Sequence, residues 1–384
     1  MAMTAAWPVR RLLAALAVAA AYYGAAKFGL ALAYENSSVT AVWPPTGIAL
    51  AALLLGGYRL WPGIALGAFL ANAWTGVPLG TVLAITLGNT LEALAGAYLL
   101  QRFTGFDPRL ERVRDVVSLT VVAAMLSTLI SATIGVAGLR LGTDLPTDRI
   151  AETWRTWWLG DMAGDLIVAP FILVAALHLR RGLRRPRRLG EAAVLGVTLA
   201  GLSTLAFSQT TPVAYVVFPC LIWAALRFRH VGATTASLVV AGVAVAFTAN
   251  GEGPFVQASG DNSLLLSQTF VSVAGLTALL LAAVATELAR AERASAIQRR
   301  RQALEINDGI IQGLVIASYQ VERGDGNSRA VIADTLRKAR QLVDQLLDEA
   351  HEDVEPGPGH LRRATAASVG ADGEEAPGAT RAAD

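Results

Sequence analysis

The chain has 384 residues, of which 54% are hydrophobic and 16% charged, with a mean hydropathy of +0.47 and a formal net charge of +2. A soluble domain carries roughly 25% charged residues; a chain this apolar cannot clothe its surface in polar groups, so most of it faces lipid. A disulfide-stapled secreted domain, a disordered chain and an ordinary cytosolic enzyme are excluded, and the single cysteine, Cys220, lies in an apolar run and reads as a small buried hydrophobe.

A hydrocarbon core of roughly 30 Å takes about 20 apolar residues of helix. About ten stretches qualify on that ruler, in chain order 12–33, 39–56, 60–75, 79–100, 116–139, 157–178, 192–207, 212–226, 231–249 and 264–288. The second, third and eighth are short. Arg10 and Arg11 followed by an alanine-rich run could open a signal peptide. The run continues through Tyr22, Tyr23, Lys27 and Phe28 into further apolar sequence, so a retained helix is predicted. With the N-terminus inside, alternate loops place fifteen arginines on the inner face and three (Arg140, Arg149 and Arg155) on the outer. That asymmetry predicts a multi-pass protein of the inner or plasma membrane with both termini cytoplasmic. Trp43, Trp61, Trp74, Trp154, Trp157, Trp158 and Trp223 fall near predicted span ends, the depth an amphipathic ring prefers.

Ionisable groups within a span are costly and by default mark a functional path. Here they are Lys27, Glu92, Asp161 and Asp165, joined by the amides Asn72 and Asn89. Asn89 and Glu92 are three apart and Asp161 and Asp165 four apart, so each pair shares a helix face. Two carboxyls on one face call for a cation, a proton or hydrogen-bond donors opposite, and Lys27 is one source of charge. Polar groups between packed helices also serve simply to hold them together. No histidine accompanies the acids, which argues against a metal site, and no cofactor is expected. Gly63 with Gly67, and Gly160 with Gly164, have the spacing that lets helices approach closely.

Beyond Leu288 the chain turns polar, with 13 Lys/Arg and 16 Asp/Glu in residues 289–384. Residues 286–301 prolong the last span as a charged helix, its arginines placed to meet anionic headgroups. Ile306, Ile310, Leu314, Ala317 and Val321 form one stripe; Ile332, Leu336, Ala339, Val343 and Leu346 form a second. Gly324 to Ser328 reads as the turn between them, with Asn327 or Ser328 as N-cap. Two short amphipathic arms cannot bury their stripes alone, so pairing with a second copy into a four-helix bundle is predicted. From Glu352 the tail is rich in Pro, Gly, Ala and Glu and is predicted to be disordered. The fold class expected is therefore all-α, with about ten transmembrane helices and a dimerising cytoplasmic hairpin. Its parts are a membrane domain over 1–288, a linker helix and hairpin over 289–351, and a tail over 352–384.

Ordered motifs run through the first part: Trp43-Pro44-Pro45-Thr46-Gly47; Trp61-Pro62-Gly63 with Gly67-Ala68-Phe69 and Asn72; Gly88-Asn89-Thr90-Leu91-Glu92-Ala93; Trp157-Trp158-Leu159-Gly160-Asp161 with Gly164 and Ala169-Pro170; and Phe218-Pro219 to Phe228. Together they resemble the MASE1 family of membrane-associated sensor modules. The resemblance covers residues 11–288 and implies a sensory input module feeding a separate kind of output. It favours Trp43, Asn89, Glu92, Trp158 and Asp161, with Asp165 beside them, as ligand-binding rather than merely packed. The hairpin resembles the dimerisation and phosphoacceptor domain of NarL-type histidine kinases, on the stretch from Arg299 to Leu314. That alignment puts Asn307 where the phosphorylated histidine belongs, and an amide cannot serve as the nucleophile. His178, His230, His351 and His360 offer no substitute, and no P-loop spacing occurs.

These features favour a bacterial membrane sensor or adaptor, a homodimer in the lipid bilayer. Its non-phosphorylatable output would bind a histidine kinase or response regulator, and its stimulus would be an unidentified small molecule or membrane-derived signal. A solute transporter is one alternative, since buried acids and Gly/Pro-broken spans suit one. A histidine kinase completed by an ATPase domain in trans is the other, and Asn307 opposes it. The arginines of 180–188 are explained by topology, so no nucleic acid partner is expected.

Overall fold

The computed structural model describes residues 6–31, 41–180, 189–211, 213–257, 260–323 and 328–352, and all regular structure among them is helical. Twelve α-helices follow in order: α1 Ala6–Ala31, α2 Pro44–Gly56, α3 Trp61–Asn72, α4 Leu79–Leu99, α5 Val113–Ser118, α6 Thr128–Gly142, α7 Ile150–Ala163, α8 Ala169–Arg180, α9 Leu189–Ser208, α10 Phe218–Ala249, α11 Gly260–Glu322 and α12 Ser328–Glu352. Wider π-helical turns prolong α4 (Leu100–Thr104), join α5 to α6 (Leu119–Ser127) and join α7 to α8 (Gly164–Val168). The chain divides into two compact units, Met1–Ala291 and Glu292–Asp384. Most of the expected turn at 324–328, the tail beyond Glu352 and most of the arginine cluster at 180–188 lie outside the described residues.

Seven helical runs among the described residues are long and apolar enough to cross a membrane. This differs from the expected ten, for two reasons. Helices α2 and α3 have 13 and 12 residues, too few to span about 30 Å at 1.5 Å per residue. The run Ala214–Ala249 covers two expected spans at once, but it is folded back on itself. Arg229 has φ 56° and ψ −140°, outside helical space, and a Cβ on Gly232 would strike the Ala224 carbonyl oxygen eight residues earlier. In a straight helix those residues stand about 12 Å apart along the axis, so the arms before and after Arg229 are separate helices. Holding a non-glycine residue there costs on the order of 1–3 kcal/mol.

Small residues set the packing. Gly47 on α2 and Gly164 on the π-turn face each other: a Cβ on Gly47 would meet the Gly164 carbonyl oxygen and, at 2.7 Å, the Ala169 nitrogen, while one on Gly164 would strike the Trp43 carbonyl oxygen. Gly63 and Gly67 do the same for α3 on α1, against Ala15 and Tyr22. Both glycines of the first expected pair, and Gly164 of the second, therefore lie at close helix contacts. One apolar core gathers α1 to α5, α8 and part of α11; a second joins α9, α10 and the first part of α11 to the 163–167 region. Cys220 is buried in the second as a free thiol.

In the second unit, α12 packs on the last part of α11 where Gly313 admits Thr335: a Cβ on Gly313 would meet Thr335 Cγ2 at 2.5 Å. Leu304, Ile311, Leu314, Val315, Ile316, Tyr319, Val321, Ile332 and Leu336 remain exposed. Asp334 pairs with Lys338 at 2.9 Å and Arg337 at 3.3 Å on the surface of α12.

Candidate functional site

The first turn of α2 enters the interior of the first unit rather than its edge. Pro44 and Pro45 occupy the opening positions of the helix, where a missing N–H costs nothing and the fixed φ suits the helix. The Trp43 N–H donates to the Gly160 carbonyl at 3.0 Å. With Gly47 against Gly164, this clamps α2 onto α7 and aims the Thr46 hydroxyl at Asp161, Oγ1 to Oδ1 at 2.9 Å. The other Asp161 oxygen accepts from Ser131 at 2.9 Å. Ser131 lies 2.7 Å from the Asn89 side chain and receives the Trp157 indole N–H at 3.1 Å. Asn89 in turn meets the Tyr22 hydroxyl at 3.0 Å, and the Trp43 indole lies beside that hydroxyl.

The single Ser131 proton decides how the Asn89 amide is turned. A hydroxyl donates once, so Ser131 cannot donate to both Asp161 and Asn89. With the Asn89 amide nitrogen toward Ser131 and its oxygen toward Tyr22, each hydroxyl proton of the network meets an acceptor. Tyr22 donates to Asn89, Asn89 and Trp157 donate to Ser131, and Ser131 and Thr46 donate to Asp161. The network then ends on a carboxylate that accepts at both oxygens.

Two further acids share this interior. Glu92, one turn along α4 from Asn89, is close enough to Asp161 and Asp165 for their charges to act on it. All three are 1% exposed. Both Glu92 carboxyl oxygens and Asp165 Oδ1 are buried without a hydrogen-bond partner among the described residues. Carboxyls in such surroundings demand a proton, a cation or donors. No three of the described acids, histidines or cysteines converge as metal ligands.

Of the residues singled out in the sequence, Trp43, Asn89, Glu92, Asp161 and Asp165 come together here. Trp158 does not: its indole donates to the Met125 carbonyl at 3.0 Å and its ring stacks on Trp154 at 5.8 Å. Lys27 supplies no counter-charge, because its ammonium lies over the Tyr23 ring, 5.5 Å from the centroid. It is five residues beyond Tyr22, about 140° round the helix. Asn72 donates to Ala68 of its own helix at 2.9 Å. Asn307 lies exposed on α11 in the second unit. Tyr22, Thr46, Ser131 and Trp157 belong to the network without having been among the expected ligand-binding residues.

Among known proteins, the MASE1 family model matches residues 13–289 of this chain. Over 213 residues, 54% of the chain, the sequence is 27% identical to the probable diguanylate cyclase DgcE of Escherichia coli (strain K12), and the chain covers only 18% of that relative. No solved structure matches.

Proposed function

Because this chain belongs to the MASE1 family of membrane sensor modules, we propose that it receives its stimulus at the buried Glu92–Asp161–Asp165 cluster and signals through α11. The output in this reading is a hairpin, paired with that of a second copy, which binds a separate histidine kinase or response regulator. The observation that carries it is the contrast inside the cluster. Asp161 accepts a hydrogen bond at both oxygens, whereas neither oxygen of Glu92 has a hydrogen bond of normal geometry, although Ser131 and Asp161 lie next to it. A stimulus that brings a proton, a cationic group or hydrogen-bond donors to Glu92 changes the charge balance at the junction of α2, α4, α6 and α7. Helix α11, shared by both units, supplies the path outward. The arginine asymmetry of the loops supports a plasma-membrane protein with both ends in the cytoplasm. The exposed apolar residues of α11 and α12 support pairing of hairpins, and Asn307 supports an output that binds rather than carries phosphate.

The test places a spin label at Arg340→Cys in a Cys220→Ser background, in the full chain held in nanodiscs. A single inter-hairpin distance is expected, and Glu92→Gln or Asp161→Asn shifts it by about 1–2 Å or more, the scale of helix displacements in switching proteins. Absence of an inter-chain distance, or one that neither substitution moves, defeats the reading.

A further inference from the structure

At the arginine-rich end of the first unit, away from the acid cluster, lies a cavity of about 140 Å³ lined by Arg109, Glu111, His178, Arg229 and His230, with Val174, Leu177 and Phe228 among its apolar walls. The cavity is far smaller than the roughly 300–1,000 Å³ of drug-sized sites, and its polar lining is mainly basic. Its one acid, Glu111, is already engaged by Arg290 of α11. Arg109 and Arg229 both line the cavity, and neither forms an ion pair among the described residues. His230 is 6% exposed, and its Nε2 is buried with no hydrogen-bond partner; the ring also lies against the Leu110 backbone.

The backbone around the cavity is held in unusual conformations by two residues that line it or adjoin its lining. Arg229 has φ 56° and Leu110 has φ 57°, a region that side chains rarely adopt. The reversal at Arg229 brings that residue and His230 to the same cavity as Arg109 from the 105–112 loop. That loop and the residue after it are tied to α11 twice, by Glu111 to Arg290 and by the Val113 N–H to Glu287 at 3.1 Å.

We propose that this cavity binds a phosphate-bearing anion, held by the guanidinium groups of Arg109 and Arg229 beside the His230 ring, and that its occupancy bears on the Glu111–Arg290 tie to α11. Guanidinium groups match tetrahedral oxyanions in charge and geometry, and a cavity of this size takes one such group rather than a whole nucleotide or sugar. An anion seated there lies against Glu111 and competes with it for positive charge. The phosphate can come from a lipid headgroup, since basic pockets between membrane helices bind acidic lipids, or from a soluble phosphate-bearing molecule.

The test uses the full chain in phosphatidylcholine nanodiscs, its thermal unfolding followed by tryptophan fluorescence. One arm titrates inorganic phosphate against sodium chloride at equal ionic strength; the other replaces phosphatidylcholine with phosphatidylglycerol. A saturable rise in Tm is expected in at least one arm. In the phosphate arm it identifies a soluble source, and in the lipid arm alone a headgroup. Arg229→Gly removes the guanidinium and relieves the positive φ, so this variant folds. It is expected to shift the half-saturation point roughly tenfold or more, in keeping with the loss of charge-assisted hydrogen bonds, as is Arg109→Gln. Arg59→Gln, a basic residue outside the cavity, leaves the response unchanged. Chloride matching phosphate with no lipid response, an Arg59→Gln shift as large as that of Arg229→Gly, or no rise in either arm overturns the proposal.

Discussion

In the first unit, Leu83, Leu87, Val197, Leu205 and Val273 face outward, while Thr46, Asn89, Glu92, Ser131, Asp161 and Asp165 are turned in. In the second unit the order is mixed: Leu314, Val321 and Leu336 are exposed beside Arg337 and Lys338. An apolar exterior with the polar side chains turned into the protein, between its apolar cores, suits lipid, where each buried polar group must find its partner inside. Apolar residues set among charges suit neither lipid nor water, and suit a protein surface. The first unit thus turns apolar side chains outward and polar ones inward, while the second leaves apolar residues exposed among its charges, as the proposed pairing requires.

The inward-polar arrangement of the first unit fails hardest at the glycine contact. Gly164→Leu drives a side chain into the Trp43 carbonyl, and overpacking of that kind costs about 3 kcal/mol or more; the expected outcome is loss of monodisperse protein on size-exclusion chromatography. Gly201→Ala, at a helix position with nothing within 4 Å, is expected instead to stabilise by about 0.5–1 kcal/mol, read as a raised Tm. Next come the acids. Asp161→Leu strands the Thr46 and Ser131 donors and is expected to destabilise by about 3 kcal/mol. Glu92→Leu removes a carboxyl without partners and leaves Tm unchanged or higher. A large loss from Glu92→Leu would show that this carboxyl holds the helices together.

In the second unit, Leu314→Glu with Leu336→Glu is expected to weaken self-association of the full chain about tenfold or more, the loss of roughly 1.4 kcal/mol of apolar burial, measured by light scattering in detergent. The melting of the first unit should not move. The smallest effect is electrostatic. Lys338, then Arg337, hold the Asp334 carboxyl below its usual range. A carboxyl depressed in the folded state contributes stability above its unfolded pKa and loses it as pH falls through the lower folded value. Circular dichroism of Asp334→Asn should therefore differ slightly from the parent at neutral pH and converge with it in acid.

Part of the acid cluster can be read directly from the chain. Asn89, Glu92, Asp161 and Asp165 are conspicuous because an acid or amide in an apolar run is rare. Thr46 and Ser131 are not, because hydroxyls in spans commonly bond their own helix, as Ser127, Thr128 and Thr90 do here; Trp157 reads as one more interfacial tryptophan, and nothing in the sequence turns Tyr22 inward. Only the approach of α2 to α7 and of α4 to α6 separates Thr46 and Ser131 from those others. Lys27 misled because hydropathy reports depth and not the direction a side chain takes round its helix. The shortness of α2 was visible, but its starting point inside the protein depends on the Trp43–Gly160 bond, a contact between residues far apart in the chain. The helical fold itself follows from the apolar runs, and the turn at Arg229 falls in the charged stretch that separates the expected spans 212–226 and 231–249, although its confinement to one residue left no mark in the sequence.

The reversal at Arg229 has a mechanical consequence. Its two arms are joined by one non-helical residue, so no slack separates them, and a twist of the first must be taken up by the second as a crank turns its shaft. Lengthening that joint by a few glycines would uncouple the arms while leaving each one helical.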